Sequence, residues 1–560
     1  MFKDQIIEAL KKVIGLKTVN LEFPENPDFG DYSSNVALQG KGLKVRGKRG
    51  PKEVAEAIVE RLKSDRELTK IVDRIEVAGP GFINFWLTRG ALVSELERIR
   101  KEADRYGSSE LFKGQKVMFE YAHPNTHKVF HIGHLRNITT GETLSRLYEA
   151  GGAEVIRVNY QGDVGLHIAK ALWGINKLGF VDPKDVHARA GFLGKAYAEG
   201  AKVYEEDEKA KEEINEINGK IYDKSDNGIN KLYEKTRKWS LDYFDEIYKR
   251  VNTKFDRLYF ESEVVESGKK IAEKALKEGI LEKSEGAIVF PGSKYRLHDR
   301  VFISSKGVPT YEAKDLGLAH LQFSEYDPDK LIHTVGPEQT AYFQVIFKAL
   351  ELILPEISGR EIHVPYGWVR LKKGKMSSRT GNVVLGEWLL DEAKSSIKKS
   401  FKTEEKIAEQ IAVGAVKYSF LKTGLNQDIA FDLKESISLE GNSGPYLQYT
   451  VARTNSVLAK STNLQIYKST NEFRINDEEM TVLRSLIRFP EVVETAGKSY
   501  SPNLLCNYIY DLAQKYNGFY NKHKIIGSDN EDFRLALTFG VGQVLKNGLK
   551  LLGISTPERM

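Results

Sequence analysis

Lys116-Val117-Met118-Phe119-Glu120-Tyr121-Ala122-His123-Pro124-Asn125-Thr126-His127-Lys128-Val129-Phe130-His131-Ile132-Gly133-His134 contains an apolar strand, a loop and the start of a helix. The run through Tyr121 has the length and apolar content of a buried strand. Pro124-Asn125 breaks the chain, and helical spacing resumes near Gly133. A second strand-like run, Glu154 to Tyr160, follows the Gly151-Gly152 turn. Strand, helix, strand at this spacing predicts an α/β fold built on a parallel sheet.

The rest of the chain arranges itself around this unit. Residues 1–110 read as a separate α/β module, with a turn-rich segment at Asn26–Tyr32, a helix-like stretch after Pro51 and a strand-like run at Gly81–Trp86. Residues 111–388 form the central α/β unit, interrupted at about 184–283 by a long, charged, helical insertion. Strand-like runs return at Ala287–Phe290, Arg300–Ser304, Leu331–Val335 and Ile362–Val369. From Leu389 to the end, residues 389–560, the spacing is helical, with no strong strand signal.

Four histidines, at 123, 127, 131 and 134, admit three readings. Histidines four apart on one helix are a zinc arrangement, but Pro124 interrupts any such helix and there is no HExxH glutamate. They could also be packing or surface groups. The third reading is phosphate binding: a helix N-terminus offers free N–H groups and a positive dipole end, imidazoles donate to phosphoryl oxygens, and Gly133 lets a flat base approach. The basic stretch Lys375-Met376-Ser377-Ser378-Arg379 downstream is a second candidate for gripping ATP.

These signatures, His131-Ile132-Gly133-His134 and Lys375-Met376-Ser377-Ser378-Arg379, resemble the HIGH and KMSKS motifs of class I aminoacyl-tRNA synthetases. Within that class the chain is similar to the arginyl-tRNA synthetases. The similarity is carried by Glu120–Asn125 with Lys128, Asn159–Gly165, Tyr311–Asp315, Met376–Val384 and Gly441–Tyr449, in the family's order. Two positions depart from it: His167 stands where glutamine is common, and Arg379-Thr380 replace the usual basic run.

The resemblance implies a split Rossmann catalytic domain, an N-terminal module that touches the tRNA elbow and an all-α anticodon-binding domain. It implies ligation of L-arginine to tRNA(Arg) through an arginyl-adenylate. His131, His134, Lys128 and Lys375 would stabilise the reacting phosphate. ATP would be bound by His131, Gly133, His134, Lys375, Met376, Ser377, Ser378 and Arg379. The arginine pocket would comprise Glu120, Asn125, Tyr311, Asp315 and Gln339, since carboxylates match the planar fork of a guanidinium. Contacts to tRNA would come from Phe29, Asp31, Tyr32, Asn35, Tyr446 and Gln448. Mg²⁺ would accompany ATP as part of the substrate complex, with no prosthetic group and no protein metal site. A cytoplasmic monomer that commonly needs bound tRNA before it activates arginine is the family expectation.

Composition suits a soluble globular protein: 41% hydrophobic, 29% charged, net charge +6 and a single cysteine, Cys506. One cysteine excludes an intrachain disulfide and a thiolate-rich zinc site. The amphipathic first sixteen residues carry Asp4 and Glu8, which favours a structural helix over an acid-poor transit peptide. Tyr508, Tyr510, Tyr516 and Tyr520 could stack on bases, although their helical spacing points rather to the core. The competing functions are another class I synthetase, a HIGH-motif nucleotidyltransferase and a non-catalytic RNA-binding paralogue.

Overall fold

Residues 2–24, 26–39, 50–372, 384–461 and 474–560 are described by the structure, a computed structural model. The chain divides into two compact units. One spans residues 1–106, 453–489 and 511–545. The other spans 107–452, 490–510 and 546–560.

In the first unit the N-terminal segment forms the helix Phe2–Ile14, with Ile6, Ala9, Leu10 and Ile14 buried. It is therefore a packed structural helix, as Asp4 and Glu8 indicated. Pro51 opens the helix Pro51–Leu62, where its missing N–H costs nothing. Strands Tyr32–Ser34, Phe82–Leu87 and Val72–Ala78 pair antiparallel, with Phe82–Leu87 central. Asp31 locks this sheet: one oxygen accepts from the Leu87 amide at 2.8 Å and the other lies 3.0 Å from Arg484 Nε.

The second unit holds a five-stranded parallel sheet: β1 (Lys116–Glu120), β2 (Glu154–Gln161), β3 (Arg257–Phe260), β4 (Lys330–Val335) and β5 (Glu361–Pro365), in the order β5-β4-β1-β2-β3. Val117, Met118 and Phe119 are fully buried, as expected of a central strand covered on both faces. Three helices matter for the site: α1 (Ile132–Ala150), α2 (Tyr311–Tyr326) and α3 (Thr340–Ile353).

The charged insertion is helical as expected, with Val186–Glu206, Glu208–Asp223 and Asn227–Arg250 each N-capped by an aspartate side chain, Asp185, Asp207 and Asp226. Within the expected insertion, however, β3 adds an edge strand to the catalytic sheet. Its four residues are too few for a periodic signal; pairing with β2 makes it a strand. Ile429–Phe431 likewise carries no strand signal of its own: three residues that pair parallel with Val369–Leu371. Ala287–Phe290 and Arg300–Ile303 join Glu282–Ser284 in a separate antiparallel sheet. Among the described residues no helix is long and apolar enough to cross a membrane.

Helices Leu166–Leu178 and Val186–Glu206 cross at two glycines. A Cβ on Gly174 would lie 2.0 Å from the Ala196 carbonyl oxygen, and one on Gly200 would lie 2.0 Å from that of Lys170. Backbone meets backbone here, so no side chain can yield. Gly174→Ala or Gly200→Ala is expected to lower stability by about 1–3 kcal/mol, read from the shift in urea midpoint.

Candidate active site

The strand order reverses between β1 and β4, so the two crossovers leave in opposite directions and open a crevice at their carboxyl ends. Asn137, buried on α1, spans that crevice. Its Oδ1 accepts from the Ala122 amide at 2.5 Å, and its Nδ2 donates to Thr334 O at 2.7 Å and Tyr366 Oη at 3.0 Å. Beyond β1 the backbone turns left-handed at Ala122 (φ 86°) and His123 (φ 51°), values that cost a non-glycine residue about 1–3 kcal/mol. Asn137 offsets this at the first residue. Asn159 does so at the second, accepting from the His123 amide at 3.0 Å.

His131 caps α1. Its Nδ1 accepts from the Gly133 amide and its own amide donates to His134 Nδ1, each at 3.2 Å. The two rings stack with centroids 3.7 Å apart. A backbone amide can only donate, so both Nδ1 atoms are unprotonated and each ring carries its proton on Nε2. Burial, then Lys128, lowers the His131 pKa. Burial, then His131, His123 and Lys128, holds His134 well below the usual histidine range. Both rings are thus neutral N–H donors at pH 7.

Lys128 is half-buried, with Nζ 5.3 Å from the Tyr197 ring centroid. Residues 384–386 are stitched to the start of α1: the Ile132 amide donates to Val384 O at 2.9 Å, and the Gly386 amide to Phe130 O at 3.0 Å. The expected ATP contacts Lys375, Met376, Ser377, Ser378 and Arg379 lie outside the described residues.

The five expected arginine contacts, Glu120, Asn125, Tyr311, Asp315 and Gln339, line one cavity of about 470 Å³. Tyr311 and Asp315 are one turn apart on α2, and Glu120 ends β1. Around Glu120 the cavity is more elaborate than the sequence suggested. Gln322 Nε2 donates to one carboxylate oxygen at 2.5 Å, and His333 Nδ1 lies 3.0 Å from the other. His333 Nε2 lies 3.3 Å from Glu361. Although burial opposes it, His333 followed by His123 lowers the Glu120 pKa.

Asp315 has no such cation. Burial raises its pKa to about 7 despite a 2.6 Å hydrogen bond from Tyr342 Oη. On the cavity's flank Lys314 and Glu261 form a buried ion pair at 2.8 Å. Gln322, His333, Tyr342 and Glu361 carried no motif. The only signal was the apolar run containing His333, too weak to mark a site.

The remaining histidines separate by role. His127 is a packing histidine, its Nε2 2.7 Å from Thr236 Oγ1 and its pKa pushed down to about 3 by burial. His167 lies 3.3 Å from Gly162 O, neutral through burial, with its pKa at about 4.

Three of the expected tRNA contacts are interior groups. Asp31 and Tyr32 are 5% and 1% exposed, and the Asp31 oxygens serve Leu87 and Arg484. Gln448 is fully buried, donating to Gln410 O and Ser555 O. Each belongs to a conspicuous motif, but the motif does structural work at these side chains. Phe29 is exposed, Asn35 and Tyr446 are half-buried, and Tyr446 packs edge-on to Tyr510. Tyr508 and Tyr516 are core residues, whereas Tyr520 reaches the surface beneath Arg453.

Comparison with known proteins agrees with this architecture. The family model described as tRNA synthetases class I (R), catalytic domain, matches residues 96–433. Models for an arginyl tRNA synthetase N terminal domain and a DALR anticodon binding domain match residues 1–87 and 447–560. Arginine–tRNA ligases of Borrelia garinii subsp. bavariensis and Treponema denticola are 33% and 32% identical, over 98% and 97% of this chain and 96% and 95% of theirs. The Thermus thermophilus arginyl-tRNA synthetase structure superposes with a TM-score of 0.81 at 24% identity, each chain fully covered, which shows the shared fold.

A parallel sheet with this catalytic-domain match defines a class I aminoacyl-tRNA synthetase. Within that class, the chain belongs to the arginyl-tRNA synthetase family.

Asn137→Ala would leave the Ala122 amide buried and unpaired and would free Thr334 O. A loss of about 2–4 kcal/mol is expected, measured by denaturant unfolding monitored with tryptophan fluorescence.

Proposed function

We propose that the chain charges tRNA(Arg) with L-arginine in two steps, with ATP as co-substrate. The arginine carboxylate attacks the α-phosphorus, forming arginyl-adenylate and releasing pyrophosphate. The 2′-hydroxyl of the terminal adenosine then attacks the activated carbonyl and AMP leaves. One observation carries this reading: all five side chains suited to arginine line a single cavity. Glu120 and Asp315 would receive the guanidinium. Tyr311 would pack along the substrate's stem, and Asn125 and Gln339 would hold its α-amino and carboxylate groups.

His131 and His134 would donate through Nε2 to phosphoryl oxygens as charge builds in the transition state. Lys128 would share with Lys375 the neutralisation of pyrophosphate, Mg²⁺ arriving with the nucleotide. Phe29, Asn35 and Tyr446 remain the proposed tRNA contacts, and binding of the polyanion as a whole would weaken as salt rises. The same reading takes the enzyme as a cytoplasmic monomer, without a prosthetic group, that activates arginine only when tRNA is bound.

Incubation with labelled amino acids, ATP and total tRNA tests the whole. Arginine alone should become acid-precipitable, and charging of any other amino acid instead would overturn the assignment. Pyrophosphate exchange at full rate without tRNA would remove the tRNA requirement.

His134→Ala is expected to slow adenylate formation about 100-fold in single-turnover assays while changing arginine affinity far less. Asp315 supplies a pH test. Below pH 7 it is protonated in the empty site and the cavity loses a negative charge. Arginine affinity should therefore rise as pH increases through about 7 and level off above it, by up to about tenfold per pH unit on the acid side. Isothermal titration at several pH values measures this, and Asp315→Asn should abolish the dependence.

A further inference from the structure

We propose that His333 is a positioning residue for arginine recognition: clamped between Glu120 and Glu361, it fixes the Glu120 carboxylate in the orientation that receives the guanidinium. The inference rests on the reading of this cavity as the arginine site.

The sheet register brings the three groups together. His333 on β4 pairs with Glu120 on β1 and with His363 on β5. Paired residues of a parallel sheet share a face, and so does Glu361, two residues before His363. His333 Nδ1 is 3.0 Å from Glu120 and its Nε2 is 3.3 Å from Glu361. All three side chains are buried, at 4–7% exposure. An ionised carboxylate only accepts, so an imidazole facing one at each nitrogen must carry both protons. The ring is therefore an imidazolium. Burial opposes that charge, but Glu120 and then Glu361 raise its pKa to about 10.

A cation beside a guanidinium pocket would repel its substrate if it stood alone. Glu361 offsets it, so the three groups together keep one negative charge. The other charged or titratable groups near the ring are Asp315 on α2, His123 beyond β1 and His363 on β5. Phe343 and Phe347 on α3 complete its surroundings, with ring centroids 5.0 and 5.8 Å away. His333 on one oxygen and Gln322 on the other hold the Glu120 carboxylate in one orientation. It retains about two lone-pair sites for a forked ligand.

The test compares His333→Phe, His333→Gln and Glu361→Gln with the parent in tRNA-dependent charging. His333→Phe should raise the arginine KM about 10- to 100-fold, with the ATP KM unchanged and kcat at saturating arginine reduced far less. His333→Gln restores a neutral donor to Glu120 and should recover most of that loss. In Glu361→Gln the imidazolium is uncompensated until it deprotonates. Its arginine KM should therefore start high and fall as pH rises above about 7.5, where Asp315 is already ionised and the parent profile is flat.

An arginine KM within twofold of the parent in His333→Phe would overturn the proposal. If that variant does not fold, a flat, parent-like profile for Glu361→Gln would overturn it. A parent that charges no arginine would instead defeat the reading of the cavity on which the inference rests.

Discussion

Asn137 ties the catalytic unit together at the place where its sheet changes direction. Crossovers in opposite directions leave the carboxyl ends of β1 and β4 without a covering loop, and their terminal backbone groups would be left unpaired there. One amide side chain, projecting from the helix that follows β1, accepts from the first loop residue and donates to the end of β4. The left-handed backbone at Ala122 and His123 is tolerable because asparagine oxygens receive both amides. The consequence is geometric: a single loop separates Glu120, at the end of β1, from the paired histidines at the start of α1.

Within the cavity, two carboxylates of similar chemistry are held in different protonation states. Glu120 has an imidazolium partner and stays ionised; Asp315 has a phenol partner and deep burial, and holds its proton to about pH 7. An empty cavity with both groups ionised would carry uncompensated charge in a poorly solvated space. Leaving one proton in place reduces that cost, and a cation bound there would take over the proton's part.

The sequence was informative wherever a residue type has one evident physical use. The apolar run into Glu120, the glycines around 151 and 162 and the helical spacing after Gly133 gave the parallel sheet and the position of α1. Motif resemblance then supplied Asp315 and Gln339, which spacing alone could not. What stayed hidden depends on pairing in space. β3 and Ile429–Phe431 are strands only because a neighbour offers hydrogen bonds. Gln322, His333 and Glu361 converge on Glu120 from three separate elements, and nothing local distinguishes them. Asp31, Tyr32 and Gln448 show the converse: residues in recognisable motifs whose side chains turn inward to brace the fold.

The capping of α1 alters how this site would recognise an anion. In a glycine-rich phosphate loop the backbone amides themselves face the ligand, and replacing a side chain leaves them in place. Here the Gly133 amide is spent on His131, and His131 spends its own amide on His134. The polarity of the helix end is passed outward through two aromatic rings, so recognition of an anion would reside in genetically erasable groups. A substitution that erased either ring would therefore remove a contact to the anion and a cap of the helix at once, so the two properties are inherited together.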